Sequence, residues 1–337
     1  MVNISTFTLS AGDIEMVVTN FGARVMKLFT PDKNGTMADV VLGYNTVEEY
    51  LDNNPERFFG AVCGRFANRI AKGQFEIDGE VYNLPINNNG QSLHGGEKGL
   101  DSVVWDVVES TPNSILFKYI SAHGEEGYPG ELTIHMSYEL TEQNEFVIKY
   151  RATTTASTVV NLTHHSYFNL RGEGEGDVLD HIMRINADKF VPIDDVSIPL
   201  GNMAEVIGTP FDFRAPKVIG RDIMLPDEQL KMGSGYDHSW VISGNGLRFA
   251  ASVIDPQSGR RMEVFTDQVG MQFYSGNFIT GEITSKGGDK RYLHRGALAL
   301  ETQLLPDSPN QPQFPTSRLN PEEEYTHTCI YKFGVEA

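Results

Sequence analysis

The chain has 337 residues, a length that suggests two domains, although large all-β folds often form one domain of this size. Apolar residues make up 40% and charged residues 21%, a balance typical of a globular protein with a large core. The formal net charge of −18 argues against nucleic acid and anionic membranes as partners, because both attract clustered Lys and Arg, whereas a neutral small molecule is compatible with it.

The cysteine content and the N-terminal residues indicate the cellular location of the protein. Cys63 and Cys329 are too few for a disulfide framework and cannot form a zinc site by themselves. The first residues, MVNISTFTLSAGDIEMVV, lack a basic segment followed by a long apolar stretch, so no secretory signal is predicted. No apolar run reaches the ~18 residues of a membrane helix. We therefore predict a cytoplasmic protein that is a monomer or a weak homodimer and binds neither membrane nor nucleic acid.

The first predicted elements are a short helix and a hairpin. In TVEEYL, Thr46 and Glu49 have the spacing of a capping box. The stretch QFEIDGEVYNL at 74–84 predicts two short strands around Asp78-Gly79, a dipeptide that suits the φ > 0 positions of a two-residue hairpin turn.

A period of two dominates the rest of the chain. The segments 134–140, IHMSYEL, and 145–151, EFVIKYR, alternate apolar and polar residues, which is the pattern of half-buried strands. A short helix is predicted after Pro226, and LRFAASVIDPQSGRRMEVF at 247–265 predicts a second hairpin.

Glycine and proline divide these strands into short pieces, with 33 glycines and 16 prolines in the chain. The segments 281–292 and 305–318 are predicted to be surface loops. No internal repeat, low-complexity tract or linker marks a domain boundary. We therefore predict an all-β fold, with one large antiparallel β-sandwich domain over 1–337.

Two adjacent histidines occur in NLTHHSYFNL, residues 161–170. If this segment is a strand, neighbouring side chains point to opposite faces, so His164 and His165 do not converge on one metal ion. The chain also lacks HExxH and a Cys–His cluster with zinc-ligand spacing. We therefore predict no metal site and expect only one of the two histidines to face a functional site.

Other polar candidates lie in segments rich in small residues. His94 in SLHGG lies where the backbone can approach a ligand closely, or it is a loop histidine bonded to a carbonyl. Asn68 and Arg69 in GRFANRI either clamp hydroxyl groups or are surface and ion-pair residues. Asp237 in GSGYDHSW is a ligand candidate or caps a turn.

The stretch GALALETQ at 296–303 puts an acid and an amide on one face of a predicted strand. Leu298 and Leu300 face one way, whereas Glu301 and Gln303 follow two alanines on the other face, about 7 Å apart. Small residues beside an inward carboxylate leave room for a ligand. The alternative is a solvent-facing glutamate on an edge strand.

No nucleophile motif accompanies these residues. The chain has no G-x-S-x-G, and no glycine loop opens a helix to hold phosphate. Polar side chains that bond to hydroxyl groups, with aromatic faces that stack on sugar C–H edges, suggest a carbohydrate pocket. The aromatic residues near these segments are Tyr167, Phe168, Trp240, Phe273, Tyr274 and Phe278.

The segments GRFANRIAKG, SLHGG, NLTHHSYFNL, GYDH and LALETQ, in this order and at these separations, resemble the aldose 1-epimerase (galactose mutarotase) family. The resemblance extends from FGARV at 21 to the C-terminal strand. It implies a large antiparallel β-sandwich, termed a supersandwich, and a mechanism without a cofactor. The substrate implied is a free aldohexose such as D-glucose or D-galactose.

The resemblance also implies residue roles. Glu301 would be the general base that takes the proton from the C1 hydroxyl, and His165 the general acid that protonates the ring oxygen. The residues that would hold the ring oxygen and the hydroxyl groups are His94, Asn68, Arg69 and Asp237, with Gln272 and Gln303 as further binding candidates.

The sequence departs from the family pattern at His164, where the family commonly has asparagine. By alternation this side chain points away from the catalytic face, so we expect little effect on the chemistry. Two alternatives stay open from the sequence. One is a glycoside hydrolase with Asp237 and Glu301 as its carboxylate pair, and the other is a non-catalytic sugar-binding relative.

Overall fold

The computed structural model describes residues 3–52 and 55–336, which form mainly short antiparallel strands. In chain order the strands are β1 (Thr6–Ala11), β2 (Ile14–Thr19), β3 (Arg24–Pro31), β4 (Met37–Asp39), β5 (Ala61–Cys63), β6 (Arg69–Ile70), β7 (Gln74–Ile77), β8 (Glu80–Asn83), β9 (Ser92–Leu93), β10 (Asp106–Ser110), β11 (Ser114–Ser121), β12 (Leu132–Leu140), β13 (Glu145–Thr154), β14 (Thr158–Val159), β15 (Thr163–His165), β16 (Ile182–Ile185), β17 (Lys189–Val191), β18 (Ala204–Glu205), β19 (Lys217–Val218), β20 (Asp237–Val241), β21 (Arg248–Ile254), β22 (Arg260–Thr266), β23 (Gly270–Tyr274), β24 (Ala299–Gln303), β25 (Arg318–Leu319) and β26 (Tyr325–Val335).

Helical structure is limited to short segments. The α-helices of the described chain are α1 (Val47–Leu51) and α2 (Glu228–Met232), and its 3₁₀ turns are Ala71–Gly73, Leu100–Ser102, Glu125–Gly127, Ile219–Arg221 and Ser308–Asn310. Within 3–52 and 55–336, none of these helices is long and apolar enough to cross a membrane.

The local predictions for these elements are confirmed. The Thr46 side chain accepts a hydrogen bond from the Glu49 backbone N–H, and the Glu49 carboxylate accepts one from the Thr46 backbone N–H, so α1 begins with a capping box. Strands β7 and β8 form the first predicted hairpin, with Asp78 at φ 54° and Gly79 at φ 84° in its turn. The second predicted hairpin is β21–β22, and α2 follows Pro226.

The largest sheet has nine antiparallel strands in the order β10-β11-β12-β13-β26-β22-β21-β16-β19. The two alternating segments of the sequence form β12 and β13, which pair from Leu132 opposite Thr154 to Leu140 opposite Phe146. Every second residue of β12 is buried and those between are half-buried, because one face of this sheet lies on the core. Strand β26 joins β13 to β22 and so brings the end of the chain into the middle of the sheet.

A second sheet has five strands in the order β18-β17-β20-β23-β24. Its register sets Asp237 on β20 opposite Tyr274 on β23, and Gln272 on β23 opposite Glu301 on β24. Because residues opposite each other or two apart share a face, these four side chains lie on one side of the sheet.

The two large sheets share a hydrophobic core that extends from Leu9 on β1 to Phe333 on β26. It contains Ile134 of the nine-stranded sheet as well as Trp240 and Phe273 of the five-stranded sheet. This packing of antiparallel sheets confirms the all-β sandwich prediction. The prediction of a single domain stays a prediction.

The surface-loop prediction for 305–318 is wrong at its beginning. Leu305 and Asp307 are buried, and an Asp307 carboxylate oxygen accepts a hydrogen bond from the Ala71 backbone at 2.9 Å. The Asp307 backbone N–H donates to the Arg69 carbonyl at 2.8 Å. The first residues of the segment therefore support the backbone around Arg69 instead of facing solvent.

Candidate active site

A cleft of about 480 Å³ lies at the end of the five-stranded sheet, and its size is within the range of small-molecule sites, roughly 300–1,000 Å³. Side chains from segments far apart in the chain line it. Of the eight sequence-predicted site residues, those that line the cleft are Asn68, Arg69, His94, His165, Asp237 and Glu301.

His165 and His164 point to opposite sides of β15, which pairs with β5, as the alternation predicts. The imidazole of His164 contacts the rings of Tyr138, Phe146 and Tyr331 in the core. Its Nδ1 lies 3.1 Å from the Tyr138 hydroxyl, and its Nε2 lies 2.6 Å from the Ser166 hydroxyl. Burial lowers the pKa of His164 to about 3, so this histidine is a neutral core residue.

Glu301 and His165 form a close pair inside the cleft. Their Oε1 and Nε2 atoms are 3.4 Å apart, and both residues are almost fully buried. Within the described chain, neither Glu301 Oε2 nor His165 Nδ1 has a hydrogen-bond partner on another residue. Strand β24 is the edge strand of its sheet, but Glu301 is buried. The prediction of a solvent-facing glutamate is therefore wrong.

Burial shifts both members of the pair away from their charged forms. It raises the pKa of the Glu301 carboxyl well above its usual range, and the neighbouring Asp237 carboxylate adds to this shift while Arg69 opposes it. It lowers the pKa of His165 to about 4. When the pair holds one proton, that proton can reside on either partner without a change in total charge.

His94 is held in a strained loop with its Nε2 free for the cleft. The residue has φ 50°, and the Asn68 backbone N–H donates to its Nδ1 at 3.1 Å. Because Nδ1 accepts, the proton of the neutral ring is on Nε2, and burial keeps the pKa of His94 well below its usual value. His94 thus presents an N–H donor, and the expected bond from a loop histidine to a carbonyl is wrong: its partner is a backbone N–H.

Gly95 makes this loop conformation possible. It has φ 93°, and a Cβ at this position would lie 1.9 Å from the carbonyl oxygen of Gly64. Only glycine fits such a close approach of two backbones.

Three ligating atoms, one each from His94, His165 and Glu301, lie within 4.8 Å of one another. A histidine that binds a metal normally donates a proton from its other ring nitrogen to an acceptor. His94 does the reverse, because its Nδ1 accepts from a backbone N–H. The donor chemistry of this trio therefore suits hydroxyl groups better than a metal ion.

Asp237 and Arg69 complete the polar wall. The Gln272 amide donates to Asp237 Oδ1 at 2.7 Å, and burial raises the pKa of Asp237 while Arg69 lowers it. Arg69 is buried and donates through Nε to the Asn88 side-chain oxygen at 3.1 Å, so it is not a surface residue. Asp237 lies in a strand and does not cap a turn.

The two predicted glutamines do not line the cleft. Gln272 reaches it only through Asp237. Gln303 is fully buried on the Glu301 side of β24, and its amide atoms have no hydrogen-bond partner within residues 3–52 and 55–336. Their binding roles stay predictions.

Several lining residues were missed by the sequence analysis. The segment PERF at 55–58 carries no motif or periodicity, so nothing in it pointed to a site. Tyr167, Tyr274 and Phe278 were noted only as aromatic residues. The cleft residues without a sequence signal are Pro55, Glu56, Arg57, Phe58, Asn88, Asn89, Leu93, Asp195, Ser197, Met232 and Ser234.

Comparison with known proteins decides the family. The family model described as "Aldose 1-epimerase" matches residues 5–332. The chain belongs to the aldose 1-epimerase family. The resemblance stated from its motifs is therefore confirmed, and with it the assignment as an isomerase.

Relatives and solved structures agree along almost the whole chain. Galactose mutarotase from Bos taurus is 44% identical over 333 residues, covering 98% of this chain and 94% of that protein. Aldose 1-epimerase from Escherichia coli is 38% identical over 327 residues, covering 95% and 93%. The crystal structure of the GalM/aldose epimerase homologue from C. elegans has a TM-score of 0.89 and 29% identity, covering 99% of this chain and 100% of that one. That of galactose 1-epimerase from Lactobacillus acidophilus has a TM-score of 0.84 and 28% identity, covering 99% of both chains.

Proposed function

We propose that this aldose 1-epimerase interconverts the α and β anomers of free aldohexoses, such as D-glucose and D-galactose, with Glu301 and His165 as its acid–base pair. The observation that carries the proposal is the 3.4 Å separation of Glu301 Oε1 and His165 Nε2 in one cleft. Two adjacent proton-transfer groups match the two oxygens, O1 and O5, that share carbon C1 in a pyranose.

Ring opening moves one proton off the sugar and one onto it. The Glu301 carboxylate takes the C1 hydroxyl proton while the His165 imidazolium protonates O5, and the C1–O5 bond breaks to give the open-chain aldehyde. Rotation about C1–C2 then turns the other face of the carbonyl towards O5. On closure His165 takes back the O5 proton and Glu301 returns the other to O1, so the opposite anomer forms and both residues are restored.

A proton shared between Glu301 and His165 allows both steps of this cycle. The two states it needs, charged Glu301 with charged His165 and neutral Glu301 with neutral His165, contain the same number of protons. Because burial disfavours both charged forms, the states are brought closer in free energy than they would be in water. Each well-placed proton transfer contributes about 10²–10⁴ in rate, which accelerates a slow spontaneous reaction without any covalent intermediate.

The other polar residues are proposed to hold the sugar. His94 offers its Nε2–H to a hydroxyl group or to the ring oxygen, and Arg69 and Asn68 lie beside it in the cleft. Asp237, fixed by Gln272, accepts from a hydroxyl group. An acceptor and donors on different walls orient the ring, which places C1 at the acid–base pair.

The alternatives receive no comparable support. A glycoside hydrolase with Asp237 and Glu301 is not favoured by relatives that are named galactose mutarotase and aldose 1-epimerase. A non-catalytic sugar-binding relative has no need for the Glu301–His165 pair. The cytoplasmic location and the monomer or weak homodimer stay predictions.

Polarimetry tests the proposal. Freshly dissolved α-D-glucose and α-D-galactose should relax to the anomeric equilibrium faster with catalytic amounts of protein than in buffer, and the Glu301→Gln variant should not accelerate either sugar. If the wild-type protein accelerates neither sugar, the proposal fails for both. A reducing-sugar assay on an alkyl glycoside separates the hydrolase, because only a hydrolase releases a new reducing end.

A further inference from the structure

We propose that Tyr167, fixed at its hydroxyl by the half-buried Glu56, is a positioning residue that orients the His165 ring for proton transfer. The inference rests on the proposed function, in which His165 is the general acid. It adds two residues that act through His165 and are not themselves catalytic.

No other described residue accepts a hydrogen bond from Nδ1 of His165. A catalytic histidine is usually oriented by an acceptor on the ring nitrogen that does not face the substrate. Here His165 Nε2 faces Glu301, and the other nitrogen, Nδ1, is buried with only the backbone carbonyl of His165 itself as an acceptor. Neighbouring side chains therefore fix the plane of the ring by packing against it.

Stacked aromatic rings hold the imidazole of His165. The Tyr167 ring lies 4.8 Å from the His165 ring, centroid to centroid, at an interplanar angle of 25°, and Phe58 is also near parallel to it at 6.0 Å. Tyr167 is itself packed edge-on against Phe59 at 4.8 Å and Tyr274 at 5.9 Å. Because Tyr167 cannot turn without moving these rings, it provides a fixed surface for the imidazole.

Glu56 fixes the far end of Tyr167. Its carboxylate forms a side-chain hydrogen bond with the Tyr167 hydroxyl and also accepts from the Phe58 backbone N–H at 3.0 Å. The backbone of Glu56 is held in turn by Tyr44, whose hydroxyl accepts from the Glu56 N–H and donates to the Glu56 carbonyl. A half-buried carboxylate with this many partners is anchored on the scaffold.

Stacking has a chemical advantage over a hydrogen-bonded carboxylate at this position. A carboxylate acceptor on Nδ1 would stabilise the imidazolium and hold the proton on His165. The Tyr167 face attracts the imidazolium only moderately, so the ring is held in place in both protonation states. The proposed cycle needs this, because His165 gives its proton to O5 and takes it back within one turnover.

The titratable and charged groups around His165 can be named among the described residues, which makes a pH profile informative. Glu56, Arg57, Arg69 and Asp237 line the same cleft. Glu301 lies 3.4 Å from His165 Nε2, and the His94 ring lies 5.3 Å from the imidazole, centroid to centroid. Arg24 acts on it through space and lowers its pKa further. His164 is neutral on the other face of the strand. If a substitution at Tyr167 shifts the alkaline side of the pH profile of kcat, the shift therefore reports on the His165 ring that Tyr167 supports.

The test uses Tyr167→Leu, Tyr167→Phe and Glu56→Gln in the full chain, assayed by polarimetry. Tyr167→Leu removes the stacked ring, and we expect kcat to fall about ten- to a hundredfold with KM within twofold, because misplacement of a catalytic group costs ~10²-fold. Tyr167→Phe keeps the ring and should restore most of that loss. The double variant Glu56→Gln/Tyr167→Phe should lose no more than the worse single variant, because both changes break the same bond.

Tyr292→Phe is the matched control. Tyr292 is a buried tyrosine that packs edge-on against Phe59, and its hydroxyl bonds to the Glu173 carboxylate and to the Gly43 carbonyl, but it makes no contact with His165. The variant should lose stability to a similar extent as Tyr167→Phe and keep wild-type kcat and pH profile.

Two results would overturn the inference. One is a Tyr167→Leu protein with the kcat and pH profile of the wild type, and the other is a Tyr292→Phe protein that loses as much kcat as Tyr167→Leu. If the wild type itself fails to accelerate anomer exchange, the proposed function fails, and NMR of the His165 ring decides the positioning role separately. Its resonances should broaden in Tyr167→Leu but not in Tyr292→Phe, and unchanged line widths in both would refute it.

Discussion

Replacing Glu301 by glutamine should abolish catalysis and, at neutral pH, stabilise the fold. The two effects have one origin, which is a carboxylate buried with one oxygen at 3.4 Å from His165 and the other without a partner among the described residues. Burial raises the pKa of the Glu301 carboxyl, so the folded chain binds its proton more tightly than the unfolded chain. As pH rises above the unfolded pKa, near 4, ionisation therefore favours the unfolded state, and stability is lost until pH passes the folded pKa.

The size of the gain follows from the cost of a buried polar group that lacks a partner. Leaving a buried group unsatisfied costs about 1–3 kcal/mol and more when it is charged, so glutamine, which keeps the shape and stays polar, removes only the part of the cost that comes from the charge. For 337 residues at ~2.1 cal/mol/K per residue, the unfolding entropy is about 0.7 kcal/mol/K. A gain of about 2 kcal/mol therefore raises Tm by about 3 °C at pH 7.5. The same change removes the general base and should lower kcat by about 10²–10⁴.

Calorimetry at two pH values checks the stability part, and polarimetry checks the activity. The increase in Tm should be present at pH 7.5 and absent well below pH 4, where Glu301 is protonated in both states. Glu142→Gln, at an exposed position, removes the same charge from a chain of net charge −18 and should leave Tm unchanged. A lower Tm for Glu301→Gln at pH 7.5 would refute the claim that burial of the Glu301 carboxylate destabilises the fold. A wild-type kcat would refute the role of Glu301 as the general base.

The remaining predictions concern the histidines, the shared proton and one glycine. Polarimetry should find that His165→Asn lowers kcat at least about 10²-fold, whereas His164→Asn keeps it and only lowers Tm, and a large loss of activity in the second variant would contradict the alternation argument. The pH profile of kcat should fall on the acid side, where the pair gains a second proton and loses its base, and on the alkaline side, where it loses its only proton; a flat profile between pH 4 and 10 would rule out the pair. Gly95→Ala should raise KM and destabilise the fold by about 1–3 kcal/mol, as measured by urea unfolding, because its Cβ meets the Gly64 carbonyl and displaces His94.

Much of the local structure was predictable because it depends on neighbours in sequence. The Asp78-Gly79 turn and the Thr46–Glu49 capping box follow from the backbone preferences of a few residues. Strand alternation separated His165 from His164 without knowledge of the fold, since side chains on a strand alternate in any sheet. The same rule set Glu301 apart from Leu300.

The assembly of the site was not predictable in this way. The residue type and face of Glu301 were readable, but its 3.4 Å approach to His165 depends on β24 and β15 meeting across the core. Glu56 lies in a segment without periodicity and acts through Tyr167, so only the packed structure reveals it. The misjudged 305–308 stretch has the same explanation, because its burial comes from contact with Ala71 and Arg69, which are more than two hundred residues away.

The sequence by itself determined which side chain types are available, which elements form, and which face each residue takes. Only the tertiary structure decided which of these side chains meet, which ring nitrogen of His94 carries the proton, and how far burial moves the proton affinities of Glu301 and His165. The physical reason is the distance along the chain over which each kind of interaction acts. Turn and strand preferences act over a few residues, whereas desolvation and proton sharing exist only after distant segments have excluded water from a common cleft.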